Sequence, residues 1–277
     1  MTAHDRSLAS LASLDFRALH RGPRPLLLPN AWDHASGAAL AAEGFPAVGT
    51  TSLGVAAAAG KPDAHGATRT ETLALARGLA RLPVAVSADI ESGFGGGPDD
   101  IAALAADLNA AGVAGINIED GRADGTLADI AAHARVIAAI KAAAPDLFVN
   151  ARTDAYWLGG GADPLTETLR RSEAYAAAGA DGVFVPSLPD DAAIAAVVAR
   201  IEVPLNVLFA PDRHTYARLA DLGVARISCG SLLFRAALHA TVAAARAITA
   251  EFPEAVEEIA AGIPSYAAAA ALADAFA

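Results

Sequence analysis

The sequence predicts an α/β fold, a (β/α)8 TIM barrel with extra C-terminal helices, on three observations. An Ala-rich helical stretch ending in Gly repeatedly precedes a short β-branched run. Eight such runs can be counted. The chain has 277 residues, which suits an eight-unit barrel as one domain spanning 1–277. Gly fits the position after a helix because it carries no Cβ penalty in the left-handed conformation. Alternation of helix and buried strand means βα units and a parallel sheet. An open doubly wound sheet is the competing architecture, but no G-x-G-x-x-G opens a helix after the first strand.

The strands are expected at Leu26–Pro29, Ala47–Thr50, Val84–Asp89, Gly115–Glu119, Leu147–Arg152, Gly182–Val185, Leu205–Leu208 and Ala225–Cys229. Gly44, Gly112, Gly179 and Gly223 close the helices before four of them. Beyond Gly230 there is more helix than one unit needs, roughly 231–250 and 264–276 around EFPEAVEEIAAGIP. This surplus apolar helix is expected to pack on a partner subunit. No Gly/Ser/Pro-rich linker divides the chain.

Composition excludes several classes. At 54% hydrophobic the chain is no disordered segment. Part of its mean hydropathy of +0.38 is alanine, and no run of about 18 strongly apolar residues predicts a membrane span. The N-terminus MTAHDRSLASLASLDF lacks a basic region followed by an apolar one, so no secretory signal is read. Twenty Lys+Arg against 31 Asp+Glu give a net charge of −11. Such a surface repels phosphate backbones and anionic headgroups, so neither nucleic acid nor membrane is an expected partner. One Cys permits no intrachain disulfide and fits a reducing cytoplasm.

Barrel chemistry sits at the C-terminal ends of the strands, and acidic residues collect there. Asp89 and Glu91 follow one strand, and Glu119 ends the next. Alternate strand residues share a face, so Asp89 and Glu91 can enter one cavity. Converging carboxylates repel unless a cation holds them, and hard oxygen ligands suit Mg2+ or Mn2+. The alternative is solvated loop residues or helix caps. Arg152 follows the buried run LFVN. It either offers bidentate recognition of an anion at the cavity mouth or pairs with Glu119 or Asp154, and both can hold. Thr50, Thr51, Ser52 and Gly54 follow the second strand, where small residues expose backbone N–H groups to an anion. Cys229 reads as a small buried side chain rather than a nucleophile. Trp32 and Trp157 read as packing residues. None of the seven histidines makes a pair spaced for zinc.

Read together, PNAWD (29–33), GTTSLGVAAAAGKPD (49–63), ADIESGFGGG (88–97), INIED (116–120), NARTDAY (150–156), VPLNV (203–207) and GVARISCGSLLFRAAL (223–238) resemble the isocitrate lyase/phosphoenolpyruvate mutase superfamily. The order is right and most of the chain is covered. The resemblance implies a Mg2+-dependent barrel acting on a 2-oxo acid, often a homotetramer that exchanges a C-terminal helix. It implies that Asp89 ligates the metal directly, with Glu91, Glu119 and Asp63 acting largely through water. Glu91 stands where many members have Asp. Thr51 and Ser52 correspond to positions that hold a substrate carboxylate, Arg152 to the arginine on the bound oxo acid or enolate, and Asn206 to a pocket-lining position.

The departures narrow the activity. Lyases of the superfamily carry Lys-Lys-Cys-Gly-His on a loop after the strand that ends here at Glu119, and the Cys is their acid. Mutases and phosphonopyruvate hydrolases carry Lys and Asn on a similar loop. This chain reads Gly121-Arg122-Ala123-Asp124-Gly125-Thr126. The expectation is a Mg2+-dependent carbon–carbon lyase or decarboxylase working through an enolate on an oxaloacetate-like substrate, with Arg152 and Glu119 as its catalytic residues. Arg122, Asp124 or water would serve as acid. Two alternatives remain: phosphonomutase-type C–P chemistry, and a 2-oxo acid binding protein with little catalysis.

Overall fold

The computed structural model describes residues 16–159, 161, 163–249, 260 and 262–277. The N-terminal segment read for a secretory signal, and most of EFPEAVEEIAAGIP, lie outside the described residues. The order is α1 (Phe16–Leu19), β1 (Leu26–Leu28), β2 (Asn30–Ala31), α2 (His34–Ala42), β3 (Ala47–Thr50), α3 (Ser52–Ala58), α4 (Arg69–Leu79), β4 (Ala85–Asp89) and α5 (Pro98–Ala110). It continues with β5 (Gly115–Glu119), α6 (Ile130–Ala143), β6 (Phe148–Arg152), α7 (Pro164–Ala177), β7 (Gly182–Val185), α8 (Asp191–Arg200), β8 (Leu205–Leu208), α9 (Tyr216–Asp221) and β9 (Arg226–Ser228). The long α10 (Leu232–Thr249) and the short α11 (Tyr266–Ala271) follow, and a 3-10 turn (Leu272–Phe276) ends the chain.

All strand pairings are parallel, and the ring runs from β1 through β9 down to β2. Only Pro29 separates β1 from β2. It has no N–H to give a ladder, but its carbonyl accepts the Gly49 N–H at 2.8 Å. β1 and β2 are therefore one strand interrupted by a proline, and the barrel has eight staves as expected. Every anticipated strand forms within a residue or two of its expected bounds.

Outward-facing strand residues such as Val86, Ile116, Ile118, Val149, Ala151, Val183 and Val185 are buried beneath the helices. The barrel interior is layered. Phe16, Leu26, Leu28, Ala47, Ala85 and Phe148 plug its N-terminal end. The Phe16 and Phe148 rings meet edge to face at 5.3 Å, and His20 stacks on Phe148 at 4.2 Å. Gly115 is required there, because a Cβ would meet the Phe16 ring at 2.8 Å. Above the plug the interior turns polar, with Ser87, Asn117, Asn150, Asn206, Arg226 and Ser228 buried. Among the described residues the carboxylates appear in the uppermost layer, and Arg226 is the charge in the layer below it.

α10 is amphipathic and anchored mainly through Phe234, which packs on Trp32 at 5.5 Å. Leu238, Val242 and Ile248 on it are exposed, the last by 73%. Over its 18 residues the mean hydropathy is 1.2, so by length and composition this one helix could reach across a bilayer. That qualifies the expectation of no strongly apolar run of such length: the helix is apolar enough on average, but Arg235, His239 and Arg246 interrupt it. Leu272 and Phe276 turn back onto the α2 cluster, with the Phe276 ring 5.3 Å from His34.

Candidate active site

The C-terminal ends of the strands surround a cavity of about 160 Å3. That is roughly five water molecules' worth of space, a size for a small organic acid. Its wall includes Asp63, Asp89, Asn117, Glu119, Arg152 and Phe184, with Thr50, Thr51 and Ser52 on one side. A larger groove of about 470 Å3 lies at the opposite end, around His20, Asp181 and Glu202. It lies at the N-terminal end, the end that serves stability in this fold.

β4 delivers Asp89 to the cavity. Its backbone N–H donates to Thr50 Oγ1 at 2.8 Å, which ties β4 to β3. Among the described residues its carboxylate receives only two long backbone contacts, from Ser52 N at 3.4 Å and Glu91 N at 3.3 Å. Burial pushes its pKa up, against the pull of Arg152 and the Glu91 N–H. β5 delivers Glu119, which is 9% exposed. Burial raises its pKa to about 8; Arg152 pulls it down, while Asp89 and Asp154 push it further up.

Arg152, at the end of β6, is held on two sides. Nη1 meets Glu119 Oε2 at 2.8 Å and Nε meets Asp154 Oδ1 at 2.6 Å. The guanidinium lies between Trp157 and Phe184, 5.7 and 5.6 Å from their ring centres. Both readings of Arg152 therefore hold together: it is paired, and it lines the cavity, where Nη2 has no partner among the described residues. Trp157, expected to be a packing residue, is instead 53% exposed at the rim.

Other anticipated residues fall differently. β4 ends at Asp89, so Glu91 is beyond the strand and adopts a left-handed φ of 51°. Its carboxylate turns away from the cavity, accepting from Gly66 N and Thr68 Oγ1, both at 2.9 Å. Burial raises its pKa despite those two bonds. It thereby holds the segment carrying Asp63, whose Oδ1 is buried without a partner. The Thr51 N–H is spent on the Ala31 carbonyl at 3.1 Å. Asn206 sits one layer below the cavity wall, accepting from Ser228 Oγ at 3.1 Å, with Nδ2 unpartnered. Arg122 and Asp124 lie on an exposed hairpin closed by the Gly121–Leu127 bridge and do not line the cavity. Cys229 is buried, and burial pushes its thiol up to about 11. Among the described residues no three His, Cys, Asp or Glu side chains cluster as direct metal ligands.

Asn30, Asn117, Asn150 and Arg226 escaped the sequence reading. Asn30 Nδ2 donates to the Thr50 carbonyl at 2.7 Å, and its Oδ1 accepts from Cys229 N and Gly230 N, both at 2.9 Å. It therefore staples the ring shut at the level of the site. The period-two pairs Ser87/Asp89, Asn117/Glu119 and Asn150/Arg152 are the signal that could have found this layer.

The donor set fits a hard cation. Asp63 Oδ1 is orphaned, Asp89 is poorly satisfied, and Glu119 is held at a raised pKa by burial and, to a lesser degree, by neighbouring carboxylates. A small cation such as Mg2+, which takes one or two carboxylates and keeps its waters, would relieve all three.

Comparison with known proteins agrees. A family model described as phosphoenolpyruvate phosphomutase matches residues 16–249. The uncharacterized protein Rv1998c of Mycobacterium tuberculosis (strain ATCC 25618 / H37Rv) is 48% identical over 236 residues, covering 85% of this chain and 89% of that protein. A 2-methylisocitrate lyase of Bacillus subtilis (strain 168) is 36% identical over 201 residues, 69% of this chain and 64% of its own length. The crystal structure of a phosphonopyruvate hydrolase in complex with oxalate and Mg2+ aligns with a TM-score of 0.82 at 26% identity, over 95% of each chain.

Proposed function

The chain belongs to the phosphoenolpyruvate phosphomutase family, within the isocitrate lyase/phosphoenolpyruvate mutase superfamily, and from that premise we propose that it is a Mg2+-dependent carbon–carbon lyase whose reaction is decarboxylation of an oxaloacetate-like 2-oxo acid. The observation that carries this reading is the meeting of Asp63, Asp89 and Glu119 with Arg152 around a cavity that fits a small organic acid. In this reading Asp89 would hold the metal directly, and Asp63 and Glu119 would act on it through water. Glu91 acts by supporting the Asp63 segment. When bound, Mg2+ supplies Lewis-acid polarisation of the ligand's oxygens.

The remaining steps belong to the chain's own residues. Arg152, oriented by Glu119 and Asp154, lines the cavity. Its charge opposes the negative charge that gathers on the C2 oxygen as the C3–C4 bond breaks. CO2 leaves, the bond's electron pair forms the enolate, and water returns a proton to C3 to give pyruvate. Water is the acid in this reading, since residues 121–126 do not line the cavity. Thr51 and Ser52 line the end of the cavity that would take the C1 carboxylate. The same reading takes 1–277 as one domain, places the protein in the cytoplasm, and covers Leu238, Val242 and Ile248 with a second copy in a dimer or tetramer.

Proton and phosphorus NMR of the purified protein tests the reaction. The mixture holds oxaloacetate, isocitrate, methylisocitrate, 2-oxoglutarate and phosphonopyruvate, with Mg2+ or EDTA and a metal-only blank. Pyruvate from oxaloacetate above the blank, with Mg2+ only, is the expected result. Phosphate release from phosphonopyruvate would replace this reading with C–P chemistry. Line broadening without product would make the protein a binder.

A further inference from the structure

Arg226 is the largest fully buried side chain in the barrel, at 0% exposure. It lies on β9 inside the ring, beneath the cavity. Its Nε donates to Ser228 Oγ at 3.3 Å and its Nη2 to Asn117 Oδ1 at 3.2 Å, while Nη1 has no partner. Among the described residues it has no ion-pair partner. The one carboxylate whose field raises its pKa is Asp89 in the layer above, and burial overrides that field. An unpaired buried guanidinium is destabilising, so its retention asks what it serves. Below it the interior is the apolar plug, with His20 neutral because burial lowers its pKa to about 3. The anion that Arg226 can serve is therefore above it.

Its link to the cavity is Asn117. Arginine only donates, so the Asn117 atom facing it is the carbonyl oxygen. Asn150 Nδ2 donates to the same oxygen at 2.8 Å. Two donors fix the amide's orientation, and Nδ2 of Asn117, a residue on the cavity wall, is left without a partner among the described residues. Around the cavity the wall carries three carboxylates against the single cation of Arg152.

We propose that Arg226 is a positioning residue for an anionic ligand: it holds the Asn117 N–H2 toward the cavity and gives the floor of an acidic site the positive charge that admits a carboxylate. This rests on reading the cavity as a Mg2+ and 2-oxo acid site. The charge has opposite effects on the two ligands, repelling the cation and attracting the anion. A residue that merely fills space would not separate them.

Calorimetry with Mg2+ alone, then with oxalate on the Mg2+-loaded protein, measures both for the wild type and R226M. The expected result is oxalate binding at least tenfold weaker in R226M, with Mg2+ affinity equal or higher. If R226M does not fold, R226K and N117A replace it. R226K holding oxalate within about threefold of wild type, with N117A at least fivefold weaker, supports the proposal. Mg2+ and oxalate affinities that fall together, or R226M or N117A binding oxalate like wild type, overturn it while leaving the site reading intact. A wild type that binds no oxalate with Mg2+ overturns both.

Discussion

Glu119 and Asp120 are neighbours in the chain and occupy opposite sides of the barrel wall. Both are buried carboxylates beside an arginine. Asp120, at 0% exposure, is fully satisfied: Oδ1 accepts the Asp154 N–H at 2.8 Å, and Oδ2 accepts Arg171 Nη1 at 2.9 Å and Tyr175 OH at 2.6 Å. Arg171 also donates to the Ala128 carbonyl and to Glu167, tying the segment after β5 to α7. Glu119 has Arg152 alone, shares it with Asp154, and faces Asp89 across the cavity. A complete network stabilises; an under-compensated one is poised to accept a further cation. Burial alone would not have told these two acids apart, but counting their partners does.

The comparison predicts opposite consequences for substitutions on the two sides of the barrel wall. E119Q removes a site carboxylate without orphaning a buried charge. Its kcat/KM for the Mg2+-dependent reaction should fall about 10²- to 10³-fold, with the melting temperature unchanged within about 2 °C. A steady-state assay beside a thermal melt checks both. R171M leaves Asp120 buried without its cation, at a cost of about 3–5 kcal/mol. The melting temperature should drop by about 10 °C, while the folded enzyme at 25 °C keeps kcat/KM within about threefold of wild type. If R171M instead lost turnover and kept its stability, the division of roles would be wrong.

Much of this was legible in the sequence, and the failures have physical causes. The eight staves announce themselves because each is a short apolar run after a Gly-terminated helix. Asp89, Glu119 and Arg152 were found because they end strands. Glu91 was misplaced because period-two reasoning ends with the strand: β4 stops at Asp89, and a left-handed φ of 51° at Glu91 reverses the side chain. Asn206 was set too high, because its partner on β9 is Arg226, one layer below Ser228. The polar middle layer lies two residues before the strand ends, inside runs that otherwise read as apolar strand. Arg226 gave no sign, since a lone Arg in GVARISCG reads as a surface charge.

Smaller effects sharpen the same contrast. Y175F removes one charge-assisted hydrogen bond to Asp120, worth about 1.5–3 kcal/mol, and should lower the urea midpoint without touching turnover. His133, whose ring meets Tyr175 edge-on at 4.8 Å, is buried, and burial lowers its pKa from 6.5 to about 4. The unfolded chain takes the proton first. Stability is therefore complete above pH 6.5 and declines as pH falls toward 4, by at most about 1.4 kcal/mol per pH unit for each such histidine. His20, lowered to about 3, adds to the decline. Urea midpoints at pH 7, 6 and 5 should fall less steeply in H133F than in wild type. Equal slopes would remove His133 from the account.

Pyruvate formation from oxaloacetate, followed side by side for wild type and E119Q with Mg2+, with EDTA and with metal alone, tests the central claim most directly. Turnover above the metal-only blank by the wild type with Mg2+, and none with EDTA or by E119Q, is the predicted result. Wild type no faster than the blank, or E119Q as fast as wild type, would contradict it.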